Sequence, residues 1–264
     1  ANWVGIYTRR LWRLQPIWVE RPCFHVNLEC DLGYYVPNSS EEISQVVKKI
    51  YLFSGMGADS RLFKNLGPIE GYEIIPLPYI HPQQSKTLGD YAALLADHYT
   101  FEEPYLLGGV SMGGMIAQEL AQLTNPKGLI LISTMTSRSN MPLVFEWARP
   151  LRLVLLFNKR ALEAFAKFAD LFTQKSPEGR ELFLKMLYDS DADFMQFGAK
   201  SVLEWEPPKN TLPMVRIHGT IDRVFPASKI TDAAMIEGGN HFMIFEKGEE
   251  ITEILSMRLK ALLT

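Results

Sequence analysis

Tyr105-Leu106-Leu107-Gly108-Gly109-Val110-Ser111-Met112-Gly113-Gly114-Met115-Ile116 joins a short apolar run to a stretch with helical spacing. Tyr105–Val110 reads as a buried strand. Met112, Met115, Ile116, Leu120 and Leu123 recur at the helical period and give a helix over Gly114–Leu123. Between them, Gly109-Val110-Ser111-Met112-Gly113 fits G-x-S-x-G in the strand–turn–helix setting that this pattern requires. A turn that sharp strains the backbone at Ser111, and it needs small residues at Gly109 and Gly113 so that neighbouring backbone can close in. It lifts the Ser111 hydroxyl above the sheet edge. It also aims a helix N-terminus at that point, where free N–H groups stabilise a developing oxyanion.

Outward from this turn, apolar runs alternate with helical patterns. Ile50–Phe53, Tyr72–Leu77, Gly128–Ser133, Met214–His218 and Ala234–Ile236 read as further strands. Thr87–Tyr99 reads as a helix with Thr87 as N-cap and Asp90 three residues on. Ile251, Ile254, Leu255, Leu259 and Leu262 mark an amphipathic C-terminal helix. Nearly continuous apolar strands alternating with helices predict an α/β fold, a mostly parallel central sheet with helices on both faces. About 80 residues between Ser133 and Met214 hold no clear strand but carry helical patterns such as Leu162, Phe165, Ala166, Phe168, Ala169 and Phe172. A structureless loop of that length does not suit a compact domain, so this interval reads as an inserted helical cap.

A serine hydroxyl is a weak nucleophile at neutral pH and needs a base. His241 is the candidate, because it follows the short strand Ala234–Ile236 and the loop Glu237-Gly238-Gly239-Asn240. His98 lies inside a helix pattern, His25 lies upstream of the core, and His218 stands on a strand end. His81, in a Pro-flanked loop after a strand, belongs near the mouth. The base in turn needs an acid to hold its tautomer. Asp222, just after the strand Met214–His218, fits; Asp232 precedes a strand and would point from the wrong end of the sheet.

Taken together, the G-x-S-x-G turn, His218-Gly219-Thr220-Ile221-Asp222-Arg223-Val224-Phe225-Pro226 and Gly238-Gly239-Asn240-His241 resemble the α/β-hydrolase superfamily, over roughly Lys49 to Thr264. The chain order Ser, Asp, His is that of the family. The resemblance implies a catalytic triad of Ser111, Asp222 and His241. It also implies oxyanion donors after the first core strand, with the backbone N–H groups of Met56 and Met112 as the expected pair. Many relatives have His-Gly where this chain has Ser54-Gly55, and no His-Gly-Gly-Gly run is present, which argues against the lipase and esterase subgroup that uses it. Only about 18 residues separate Asp222 from His241, so Pro226 to Asp232 holds a turn or two where the family usually fits a full helix.

Composition narrows the class. Of the 264 residues, 47% are hydrophobic and 22% charged, and the formal net charge of −3 gives no basic face for a nucleic-acid partner. No run of about 18 apolar residues exists, so no membrane span is expected. Cys23 and Cys30 match no zinc spacing and read as free thiols of a reducing, cytoplasmic setting. Ala1 to Arg21 carries Arg9, Arg10, Arg13 and Arg21 with Trp3, Trp12 and Trp18; it lacks a signal-peptide centre and reads as a surface-packed extension rather than an interfacial anchor. Asp189-Ser190-Asp191-Ala192-Asp193 begins like a calcium loop, but Phe194 and Lys200 stand where Gly and Glu are required, and helix capping is the better reading.

The expected division is an N-terminal extension over 1–48, with edge strands at Phe24–Leu28 and Gly33–Val36, a core over 49–137 and 213–264, and a cap over 138–212. The expected activity is hydrolysis of a small ester or thioester through an acyl-enzyme. The substrate is a small molecule, an apolar acyl ester, with no cofactor and no metal. Asp-dependent dehalogenase and epoxide hydrolase chemistry is disfavoured by Ser111. Acyl transfer, C–C bond hydrolysis, perhydrolysis and a slow-turnover receptor remain alternatives that reuse the same residues.

Overall fold

The computed structural model describes residues 48–142 and 176–262. The expected strands Phe24–Leu28 and Gly33–Val36, both cysteines and the stripe from Leu162 to Phe172 lie outside them. Every described residue belongs to one compact unit, within residues 45–264.

Among the described residues six strands make one sheet: β1 (Lys48–Phe53), β2 (Tyr72–Leu77), β3 (Tyr105–Val110), β4 (Leu129–Ile132), β5 (Met214–Gly219) and β6 (Ala234–Ile236). Their order is β2-β1-β3-β4-β5-β6, and every neighbouring pair is parallel. The α-helices among the described residues are α1 (Leu88–His98), α2 (Met112–Leu120), α3 (Pro177–Asp189), α4 (Ala192–Glu204), α5 (Met243–Glu246) and α6 (Gly248–Leu262). Successive side chains along a strand point to opposite faces. Ile50, Leu52, Leu106, Ile130 and Ile217 therefore pack with Ile244, Ile251, Leu255 and Leu259 of α5 and α6. Tyr51, Phe53, Leu107, Leu129 and Leu131 pack with α1 and α2 through Tyr91, Leu95, Met115 and Ile116 on the other face. Both faces are covered, as a parallel sheet requires.

Local chemistry sets the helix ends. The Thr87 side chain accepts from the Asp90 N–H while Asp90 accepts from the Thr87 N–H, a reciprocal capping box. Ser176 caps α3, with Pro177 in its first turn. Asp191 Oδ1 accepts from the Phe194 N–H at 2.7 Å and caps α4. α2 starts at Met112 and ends at Leu120, so Leu123, counted on its apolar face, stands 53% exposed beyond the last turn. Between Asp222 and β6 the chain forms only a short 3-10 turn, Ala227–Lys229, which leaves Ile221 and Met235 exposed.

The chain leaves β1 towards one edge of the sheet for β2, then returns to β3 and continues towards the other edge. The loops after β1 and β3 consequently flank a topological switch point, the place where open α/β sheets bind ligands.

Candidate active site

Ser111 stands at that switch point, directly after β3, with φ 55° and ψ −122°. The positive φ is a strained conformation for a non-glycine residue. Close packing enforces it. A Cβ on Gly109 would lie 2.4 Å from the Gly113 carbonyl carbon, and one on Gly113 would lie 2.2 Å from the Phe53 carbonyl oxygen. Neither site can hold a side chain. The Ser111 N–H donates to the Ile132 carbonyl at 3.0 Å, and the Ser111 carbonyl accepts from the Thr134 hydroxyl at 2.6 Å. The residue is pinned from both sides, and its side chain makes no cap to α2.

The loop after β1 lies alongside. A Cβ on Gly55 would stand 3.4 Å from Ser111 Cβ. Ser54, buried, donates its hydroxyl to the Ala58 carbonyl at 2.7 Å, and the Ala58 N–H donates to the Gly55 carbonyl at 3.1 Å, which closes the loop on itself. Tyr79, from the loop after β2, donates its hydroxyl to the Ser54 carbonyl. Burial pushes the Tyr79 pKa well above that of a free phenol, so it remains a donor. Above the loop, α4 crosses so closely that a Cβ on Gly198 would come 2.9 Å from Met112 Sδ and 3.3 Å from Met56 Sδ. The two expected oxyanion residues thus meet under one helix.

Asp222 and His241 come from the carboxyl ends of β5 and β6. Asp222 Oδ2 and His241 Nδ1 are 2.8 Å apart, and both residues are buried. The other oxygen, Oδ1, accepts from the Val224 N–H at 2.8 Å and the Phe225 N–H at 3.0 Å. Burial alone would raise the Asp222 pKa. The attraction and hydrogen bond of His241, with help from His218 and the Phe225 N–H, outweigh it and hold the carboxyl below its usual range. An ionised carboxylate only accepts, so the ring proton belongs on Nδ1 and Nε2 is left as the basic nitrogen. The Phe225 ring packs edge-on against His241, with centroids 5.5 Å apart.

The remaining sequence candidates are elsewhere. Asp232 pairs with Arg216, not with a histidine. His98 is exposed at the end of α1. His81 is exposed, 3.8 Å from an Asp193 oxygen. His81, Asp191 and Asp193 are the only group of three potential metal ligands among the described residues, with ligand atoms within 4.8 Å of one another and all exposed. Asp189, by contrast, is tied to Arg61, which also grips Asp59. A cleft of about 360 Å³ opens here, between the loops after β1 and β2 and the α3–α4 corner.

His218, set aside in the sequence as a residue on a strand end, stands beside the pair. It is buried, with Nε2 2.8 Å from the Phe225 carbonyl and 3.5 Å from Asp222 Oδ2. Burial lowers its pKa despite the attraction of Asp222, and it is held neutral. Its nearness to Asp222, four residues on in the chain, was the available signal.

The alpha/beta hydrolase family model matches residues 52–254. The chain belongs to the alpha/beta hydrolase family. No curated protein matches it in sequence. Several α/β-hydrolase structures share its fold. A hydrolase from Oleispira antarctica aligns with a TM-score of 0.65 at 16% identity, covering 81% of this chain and 91% of that one. A thermophilic esterase from Thermogutta terrifontis, with malate bound, aligns with a TM-score of 0.62 at 19% identity, covering 82% and 90%. A thioesterase from the prodiginine biosynthetic pathway in Streptomyces coelicolor aligns with a TM-score of 0.54 at 15% identity, covering 80% and 90%. Where many α/β hydrolases have His-Gly, the buried Ser54 of this member closes the loop with its own hydroxyl. Among the described residues no helix is long and apolar enough to cross a membrane.

Proposed function

We propose that this α/β hydrolase is a serine hydrolase of small esters or thioesters, with Ser111 as nucleophile, His241 as general base and Asp222 as the acid that orients it. The observation that carries the reading is the coincidence of a strained Ser111 on a strand–helix turn with a buried His241–Asp222 pair at neighbouring strand ends. His241 Nε2 takes the Ser111 proton as Oγ attacks the acyl carbon, then gives it to the departing alcohol or thiol. Water, deprotonated by the same nitrogen, releases the acid and restores Ser111. The N–H groups of Met56 and Met112 stabilise the tetrahedral oxyanion. The closeness of Gly55 to Ser111, and of both methionines to Gly198, supports that pairing. Esterases and a thioesterase among the structural neighbours keep both substrate classes in view.

The insertion over 138–212 acts in this reading as the cap that selects the acyl group, and Asn2 to Val47 stand outside the catalytic core, Lys48 being the first residue of β1. The deciding experiment is labelling with a fluorophosphonate probe. Wild-type protein should label at Ser111, and Ser111→Ala should not label and should lose about 10⁶ in kcat on p-nitrophenyl butyrate. Undiminished labelling of the alanine variant would move the nucleophile elsewhere.

A further inference from the structure

Glu246 ends α5, the short helix that follows His241; the residue is half-buried, and its Oε1 is withdrawn from water without a hydrogen-bond partner among the described residues. Oε2 accepts a hydrogen bond of 2.6 Å from Nδ2 of Asn240, the residue immediately before His241. Asn240 is itself buried, and its Oδ1 accepts from the Phe242 N–H at 2.8 Å. The Asn240 amide therefore spans His241, with one end on the residue after it and the other on Glu246. An amide group can sit in two orientations that differ in which end donates. An acceptor at Glu246 selects the orientation that turns Oδ1 towards the Phe242 N–H.

The other oxygen of Glu246 reaches across to the insertion. Oε1 lies over the first turn of α3, where a Cβ on Gly179 would stand 2.6 Å from it, and the capping hydroxyl of Ser176 favours the ionised form. A carboxylate at a helix N-terminus complements the helix dipole. Burial nevertheless pushes the Glu246 pKa up, partly offset by Asn240, Ser176 and Lys247. The N-terminal half of α3 docks beside α5 twice more. Glu178 pairs with Lys64, whose ammonium lies over the Phe245 ring, and Phe183 packs edge-on against Phe242.

We propose that Glu246 is a positioning residue for His241: it orients the Asn240 amide while seated under the N-terminus of α3, so that docking of the inserted helix and alignment of the histidine loop are coupled. This rests on the hydrolytic reading above for its effect on turnover, but not for its effect on the histidine. Misplacement of a catalytic group by about 1 Å costs on the order of 10²-fold in rate. Glu246→Ala and Asn240→Ala should each lower kcat on p-nitrophenyl butyrate by about ten- to a hundredfold, with KM nearly unchanged. The double variant should be no worse than the weaker single variant, because both cut one chain of contacts. Glu246→Gln should fall between, since an amide oxygen still accepts from Asn240 but brings no charge to the helix. Gly179→Ala approaches from the other side: its methyl displaces the carboxylate without touching the histidine loop, and kcat should fall while helical circular dichroism is retained. The test is these kinetics together with NMR titration of the His241 ring, assigned by His241→Asn, in wild type and each variant. The titration midpoint should move in Glu246→Ala and return towards wild type in Glu246→Gln. Wild-type kcat with an unmoved midpoint in Glu246→Ala, or multiplicative losses in the double variant, overturns the proposal. Should Glu246→Ala not fold, Asn240→Ala and Gly179→Ala decide by the same criteria. A wild type that neither labels nor turns over ester defeats the hydrolytic reading alone, and the titration then still decides this one.

Discussion

Gly219, at the end of β5, touches the backbone of Gly239, just beyond β6: a Cβ on Gly219 would lie 2.1 Å from the Gly239 carbonyl oxygen. The contact is reinforced by Ile221 N–H donating to the Gly239 carbonyl and Thr220 N–H to the Ile236 carbonyl, both at 3.0 Å. It draws the loop that carries Asp222 against the loop that carries His241. Gly219→Ala should therefore separate them. We expect a loss of at least about 1–3 kcal/mol in stability, the usual range for overpacking. We also expect a fall in kcat at temperatures where the variant is still folded. Urea unfolding and steady-state kinetics measured together check both; unchanged kcat in a folded variant would mean that the loops need not touch.

Asp222→Asn and Asp232→Asn should behave in opposite ways. The first removes the acceptor that fixes the His241 tautomer, and kcat should drop roughly 10⁴-fold with the fold intact. The second strands the Arg216 guanidinium, whose side chain is buried, and should cost about 1–3 kcal/mol of stability with kcat retained. A larger kinetic effect from Asp232→Asn would reverse the assignment of the acid.

Stability should depend on pH through His218 before it depends on Asp222. Burial depresses the His218 pKa in the folded chain. The unfolded chain takes up a proton near the ordinary value of about 6.5 while the folded chain does not, so this contribution is complete above that pH and is lost as pH falls through the folded value. Asp222 is also depressed, so its contribution is complete above about pH 3.9 and is lost only in stronger acid. Urea midpoints measured from pH 7.5 to 5 should decline in wild type and decline less in His218→Gln. Equal slopes would remove His218 from the account.

Substrate choice should follow acyl length. Met195 and Gly198 of the insertion bear on Gly57, Met56 and Met112, which gives the ground around the expected oxyanion donors a methionine-rich, adaptable surface. Each buried methylene is worth about 0.8 kcal/mol, so kcat/KM should rise about fourfold per CH₂ until the pocket fills. Acetyl, butyryl, hexanoyl and octanoyl p-nitrophenyl esters test this; a flat series with acetate best would mean a small pocket.

The parts of the molecule that could be read from sequence are those governed by short-range repetition. β2 and β3 begin and end at the expected residues, and the Thr87–Asp90 box was visible as a spacing. The expected site residues Ser111, Asp222 and His241 each follow a strand end, where a motif and a strand mark one point. What was not legible lies in contacts between loops far apart in the chain. Tyr79 finds the Ser54 carbonyl across 25 residues, and Glu246 meets the first turn of α3 across more than 60. Neither pairing leaves a period in the sequence. His218 reads from sequence only as a residue on a strand end, and its closeness to Asp222 depends on side-chain geometry that apolar patterning does not encode.

The order of the strands has a consequence for synthesis. β4, whose Leu129–Ile132 are all buried in the finished sheet, pairs on one side with β3, made shortly before it, and on the other with β5, separated from it by about 80 residues. At ~5–20 residues per second the ribosome takes roughly 4–16 s to supply that partner. For that interval the nascent chain presents an apolar strand with an open row of N–H and C=O groups, a template for pairing with another chain. The half that carries Ser111 exists before the half that carries Asp222 and His241. The insertion is thus also a delay, and the growing polypeptide is most exposed to aggregation while it emerges, before the site has all its parts.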